Sequence, residues 1–202
     1  ITASGVYYAM RCLLPENTPA CAGAFSVITL RAEPGWLINA ERPSATAAGN
    51  VETSMRIVDC MFGALSTALP SEIPAASQGT MNNVAMGRVG QWDYYETLGG
   101  GVGASELGPG INAVQSHMTN TLNTPIEVLE SNYPVEIVRY GIRSGSGGGG
   151  LHSGGEGLIR SYRFLEDAEV TLITERRRSQ PWGLAGGAPG SNGYNTLNDR
   201  AI

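Results

Sequence analysis

The chain contains no lysine: all 13 of its basic residues are arginine. This excludes chemistry that needs an ε-amine, including Schiff-base formation, a pyridoxal phosphate anchor and the lysine of a phosphate-binding loop. If a nucleotide takes part, another chain is expected to bind it. Cysteine is scarce as well. Cys12, Cys21 and Cys60 form an odd set with no CxxC pair, which reads as three reduced thiols in a cytoplasmic protein. Only two histidines occur, His117 and His152, and neither has a partner at HxH, HxxxH or HExxH spacing. No apolar run nears the ~20 residues of a membrane span, and no segment reads as a signal peptide. The net charge of −5 argues against nucleic acid and membrane surfaces as partners. With no GxSxG and no marked nucleophile, a Ser–His–Asp hydrolase is disfavoured.

Glycine is abundant instead, 28 of 202 residues, about twice the usual ~7%. It clusters at 99–103, 145–157 and 183–193, which marks loops and close backbone approaches, not a uniform low-complexity tract. The length suits one domain with a real core, and no repeat or linker certifies a second. Because the first residue is Ile1, the chain is expected to be a piece of a longer protein.

Residues 2–14 read as a helix with Val6, Met10 and Leu13 at helical spacing, capped by Thr2 or Ser4 and ended by Pro15. Ala24–Glu33 reads as a strand closed by Pro34-Gly35, and Trp36 to Gly49 as loop. Asn50 is expected to cap a second helix, whose stripe Val51, Met55, Val58, Phe62, Leu65 and Leu69 is core, with Pro70 as its stop. From Ala75 on, β-type runs take over at Val84–Met86, Asp93–Leu98, Ile126–Glu130, Val135–Tyr140, Leu158–Leu165 and Glu169–Glu175. The last two look like a hairpin turning at Glu166-Asp167. The expected class is α+β: two helices and a strand, then a mostly antiparallel, glycine-rich β region.

Candidate chemistry concentrates between residues 76 and 127. Gln78, Asn82 and Asn83 can hold a carbonyl or an oxyanion while staying neutral, or satisfy a tight turn. Strand alternation puts Asp93 and Tyr95 on one face and Tyr94 and Glu96 on the other. Glu96, beside a tyrosine and just before Gly99–Gly103, suits acid–base work if buried; otherwise it is a surface carboxylate on an edge strand. The GGGVG run lacks a lysine and a following helix, so it reads as a bulge or a wrapping loop, not a phosphate cradle. His117, set among polar side chains, suits proton transfer near neutrality or a structural hydrogen bond. His152 reads as part of a surface turn. Arg176-Arg177-Arg178 reads as a solvated strand end or a grip for an acidic partner.

The order of SQGTMNN (77–83), YYETLGGGVGA (94–104) and SHMTNTLNTPIEVLE (116–130) resembles the B subunit of hydantoinases and 5-oxoprolinases, a family that includes the α subunit of acetone-type carboxylases. The similarity extends along the chain, through ITASGVYYAMRCLLP and AGNVETSMRIVDCMFGAL to GSGGGGLHSGGEGLIRSYRF and ERRRSQPWGLAGGAPG. It corresponds to the C-terminal portion of longer members. The resemblance implies ATP-dependent hydrolysis of the C–N bond in a cyclic amide, such as a hydantoin or 5-oxoproline. It implies an A-type partner that binds ATP, a divalent metal with ligands outside this chain, and contact with the upstream part of the same B subunit. On that view Glu96 and His117 are the catalytic candidates, and Gln78, Asn82, Asn83 and Tyr95 bind substrate. The alternatives are the α-type subunit of an ATP-dependent ketone carboxylase, or a non-catalytic assembly module of either complex.

Overall fold

The computed structural model describes residues 1–202. Its class is the α+β arrangement expected, with three α-helices and small antiparallel sheets. Helix α1 (Thr2–Cys12) and helix α2 (Ser54–Leu65) pack together through Ala9, Val58, Phe62 and Ile73, with Leu13, Leu65, Leu69 and Trp182 around them. Met55 and Val58 are fully buried, so the apolar stripe of α2 is core. Gly5 lets the helices close up, since a Cβ there would meet Ile57 Cγ2 at 3.0 Å. Neither helix is capped as expected. Thr2 Oγ1 donates instead to Ile38 O at 2.6 Å. A π-turn at Gly49–Thr53 leads into α2, and Asn50 contributes only its carbonyl, to Ser54 Oγ at 2.8 Å.

Two of the strand readings fail. Within 24–33, only a short 3-10 turn at Ala22–Phe25 is regular. Val27 is 88% exposed and no strand lies alongside, so β propensity there finds no ladder to join. Ile126–Glu130 is the start of helix α3 (Ile126–Asn132), which follows Pro125 and buries Leu129 completely. Pro125 has no N–H for a ladder, and a single turn suffices to drive Leu129 into the core.

The remaining strands form two packed pieces. Strands β1 (Asn83–Arg88) and β2 (Trp92–Thr97) make a hairpin. Strand β3 (Val135–Arg143) pairs with β4 (Gly157–Phe164) as a two-stranded ribbon. Strand β5 (Glu169–Ile173) joins the free edge of β1, giving the order β2-β1-β5. The expected β4–β5 hairpin is therefore absent, and the Glu166-Asp167 link carries the chain from one sheet to the other. A small ribbon of β6 (Thr196–Leu197) and β7 (Arg200–Ala201) closes the chain.

Register explains the packing. Val84 and Met86 lie opposite Glu96 and Tyr94 on the inner face, and cluster with Leu129 and Val135. Tyr95 and Asp93 lie opposite Ala85 and Gly87 on the outer face, where the sheet is open as a trough of about 480 Å³. The glycine run 99–103 is threaded through its own chain. Gly100 bridges Val114, Gly101 O accepts from Gln78 N–H at 2.9 Å, and Val102 bonds Ile111 and Gly155. A Cβ on Gly101 would overlap Gly155 O, and one on Gly103 would overlap Ala75 O. Close backbone approach, not phosphate binding, requires these glycines.

Candidate active site

The interior holds as many buried polar or charged side chains as apolar ones, twelve of each. Buried polar groups cost free energy unless paired. Here they converge on the segment Ser77–Asn83, which runs from beside α2 into β1 and takes a charged partner at nearly every step.

At its start, Ser77 Oγ lies 3.0 Å from His117 Nε2 and accepts from Gly79 N–H at 3.1 Å. The same His117 Nε2 lies 3.0 Å from Asp59 Oδ1. Asp59, on α2 and only 3% exposed, receives Nη2 of Arg56 at 2.5 Å and Nη2 of Arg176 at 2.7 Å, both on Oδ2. Gly79 sits against these groups at φ +59°; a Cβ would strike Arg56 and Arg176 as well as Asp59. Rings of Phe62 and Tyr8 meet the imidazole edge-on, at centroid distances of 5.6 and 6.2 Å. Arg176 is 6% exposed; burial, and then the neighbouring Arg56, pull its guanidinium below the ordinary value. The arginine triplet thus begins with a core residue, correcting the solvated reading. Gln78 turns its side chain against Gly100, and both amide atoms are sealed without a hydrogen-bond partner.

Two residues on, Thr80 Oγ1 donates to Glu52 Oε1 at 3.0 Å. Met81 N–H and Asn83 Nδ2 point to the same oxygen, at 3.2 and 3.4 Å, while Glu52 Oε2 is buried and unpartnered. Burial pushes the Glu52 carboxyl above its usual range, against the pull of Thr80 and Met81. The Tyr95 hydroxyl donates to Asn83 Oδ1; burial and the nearby Glu52 raise the phenol. Asn82, at φ +48°, accepts from Arg177 Nη1 at 3.0 Å.

On the inner face, Glu96 is 4% exposed, which removes the surface-carboxylate reading. Oε1 accepts from Arg160 Nε at 2.8 Å and from the Tyr162 hydroxyl; Oε2 accepts from Tyr94 and Asn123, both at 3.0 Å. Arg160 is completely buried, with its guanidinium 4.3 Å from the Tyr140 ring centroid. Burial works to lower Arg160, but Glu96 and Tyr162 outweigh it and hold the guanidinium above its ordinary value.

The structure joins Asn83 to Tyr95 directly; Gln78 follows Ser77 in the chain, with its side chain packed on Gly100. The structure does not join Glu96 to His117. His152 stands apart in the glycine-rich loop. Sequence reasoning missed Asp59, Ser77, Glu52 and Arg160, and took Arg176 for a surface residue. Glu52, Arg56 and Asp59 recur at spacings of four and three from the Gly49–Thr53 turn into α2, a helical spacing that was the available signal. No group of three or more His, Cys, Asp or Glu side chains converges to hold a metal ion. The one His–carboxylate pair, His117–Asp59, already has its carboxylate filled by two arginines. This donor set does not fit a divalent metal ion.

A family model described as Hydantoinase B/oxoprolinase matches residues 1–202. The chain belongs to the hydantoinase B/oxoprolinase family. It is 40% identical to 5-oxoprolinase 1 of Arabidopsis thaliana over 98% of its own length and 15% of that protein. The fold resembles an acetone carboxylase, TM-score 0.80 at 22% identity, covering 96% of this chain and 27% of that one. It also resembles an ATP-dependent caprolactamase of Pseudomonas jessenii, TM-score 0.76 at 24% identity, covering 89% and 33%. The chain spans between 15% and 34% of the length of the first curated relatives it matches. Its three cysteines are free and exposed, and no helix is long and apolar enough to cross a membrane.

Proposed function

We propose that this chain is part of the B-type subunit of an ATP-dependent hydantoinase or 5-oxoprolinase, which hydrolyses the C–N bond of a cyclic amide after a partner subunit has used ATP to activate it. The observation that carries this reading is the unbroken family match along residues 1–202. The 40% identity to a protein named 5-oxoprolinase supports the cyclic amide as substrate class. Free, exposed cysteines are in keeping with a reducing, cytoplasmic setting.

On this reading the A-type partner transfers a phosphoryl group from ATP to the amide oxygen. Water then adds to the activated carbon, the C–N bond breaks as the nitrogen takes up a proton, and a second water hydrolyses the acyl phosphate left behind to carboxylate and phosphate. His117 is the group in this chain suited to moving that proton, being a lone imidazole beside a fixed carboxylate. Glu96 has every oxygen occupied by donors, so its role is to brace β2 against β4 and not to exchange protons. Tyr95, which lines the open trough on the outer face, remains the candidate for substrate contact on this reading, while Asn83 and Asn82 hold Tyr95 and Arg177, and Gln78 lies sealed behind Gly100. The divalent metal and the ATP site belong to residues outside this chain.

The test is ATP-dependent loss of 5-oxoproline or a hydantoin by the longer subunit with its A-type partner. Ring opening coupled to ADP release supports the proposal. Ketone-dependent ATP hydrolysis without ring opening would instead assign the carboxylase reaction.

A further inference from the structure

His117 meets both of its polar partners through one nitrogen, and this decides where its exchangeable proton sits. Nε2 lies 3.0 Å from Asp59 Oδ1 and 3.0 Å from Ser77 Oγ. Asp59 is held between Arg56 and Arg176 on its other oxygen. A buried carboxylate between two guanidinium groups stays ionised, because protonating it would leave two cations uncompensated. An ionised oxygen at 3.0 Å repels a ring-nitrogen lone pair and accepts an N–H. Nε2 therefore carries a proton. Nδ1 makes no hydrogen bond within the chain and is not among the sealed, unpartnered atoms.

We propose that Asp59, clamped by Arg56 and Arg176, is a positioning residue that locks His117 in the Nε2–H tautomer, so that the proton exchanged with substrate is carried on Nδ1. The tautomer follows from geometry and charge alone; its catalytic consequence rests on the reading of His117 as the proton-moving group. The arrangement differs from a Ser–His–Asp relay, in which serine and aspartate engage opposite nitrogens. Here Ser77 shares Nε2 with Asp59, already accepts from Gly79 N–H at 3.1 Å and lies 3.2 Å from Ser116 Oγ. Ser77 is a wall of the site, not its nucleophile. The positive φ of His117, +52°, and the flanking rings of Phe62 and Tyr8 set the direction in which Nδ1 faces.

In the longer subunit, ¹⁵N-histidine labelling reports the imidazole nitrogens, and the signals lost in His117→Gln are those of His117. The expected spectrum of the neutral ring shows, for His117, a protonated Nε2 and a pyridine-type Nδ1. A protonated Nδ1 with an unprotonated Nε2 would overturn the assignment. In the active complex, Asp59→Asn should lower kcat by about 100-fold, the scale of lost general acid–base catalysis, with KM nearly unchanged. Asp59→Glu should recover part of that loss, and Ser77→Ala should leave the tautomer as it is. An Asp59→Asn enzyme that is folded and fully active would refute the positioning role. If His117→Gln is itself fully active while the tautomer is as expected, the proton-transfer reading fails and the tautomer assignment stands.

Discussion

Replacing Glu96 with glutamine isolates the ion pair that joins the hairpin to the ribbon. Glu96 and Arg160 are 3% and 0% exposed and pair at 2.8 Å. The amide keeps one acceptor oxygen but turns an NH₂ toward donors, and it leaves Arg160 without a counter-charge. Breaking a buried pair from one side costs about 3–5 kcal/mol. In a chain of this length each kcal/mol moves Tm by roughly 2–4 °C, so the expected fall is on the order of 10 °C. Partnering the change with Arg160→Met removes the stranded cation, and the double variant should recover at least half of the loss. Urea titration with matched slopes, read beside thermal melts, measures all three variants. A Glu96→Gln loss below about 1 kcal/mol, the range of exposed pairs, or a double variant less stable than the single one, would refute the reasoning.

Three further outcomes follow from the same structure. Gly103→Ala should cost about 1–3 kcal/mol or prevent folding, because its Cβ overlaps a backbone carbonyl; Gly35→Ala, where φ is +83° but the space is open, should cost about 1 kcal/mol from strain alone, and equal losses at both sites would contradict this. Burial raises the Glu52 carboxyl above its ordinary 4.5, so the folded state binds the more protons just above that pH and stability falls as pH rises through the window. Glu52→Gln should flatten that fall in pH-dependent melts; an unchanged slope would show that Glu52 is not its source. Tyr95→Phe removes the donor to Asn83 Oδ1 and should cost about 1 kcal/mol, while a stabilised variant would indicate that this bond does not form.

The elements that were legible in the sequence are those whose pattern matches their burial. The α2 stripe and the alternation of Tyr94 and Glu96 against Asp93 and Tyr95 both match the structure. Elements decided by distant partners were not legible. AFSVITL has the composition of a strand but no neighbour to pair with, and IEVLE has β-type residues but begins a short helix that buries only Leu129. The β4–β5 link looks like a hairpin because only tertiary context sends Arg160 and Tyr162 to Glu96 and β5 to β1. At the candidate site, His117 stood out by rarity. Its partners Asp59 and Ser77 lie 58 and 40 residues away, and each had an unremarkable local setting, one beside an apolar stripe and one at the edge of a glycine turn.

On the proposed function, His117 moves the proton when a cyclic amide is opened. The direct measurement is ATP-dependent ring opening by the longer subunit with its A-type partner, comparing wild type with His117→Gln at equal folding and assembly. The account predicts a loss of about 100-fold or more in kcat. Turnover within a few-fold of wild type would contradict it and leave this portion of the subunit a scaffold.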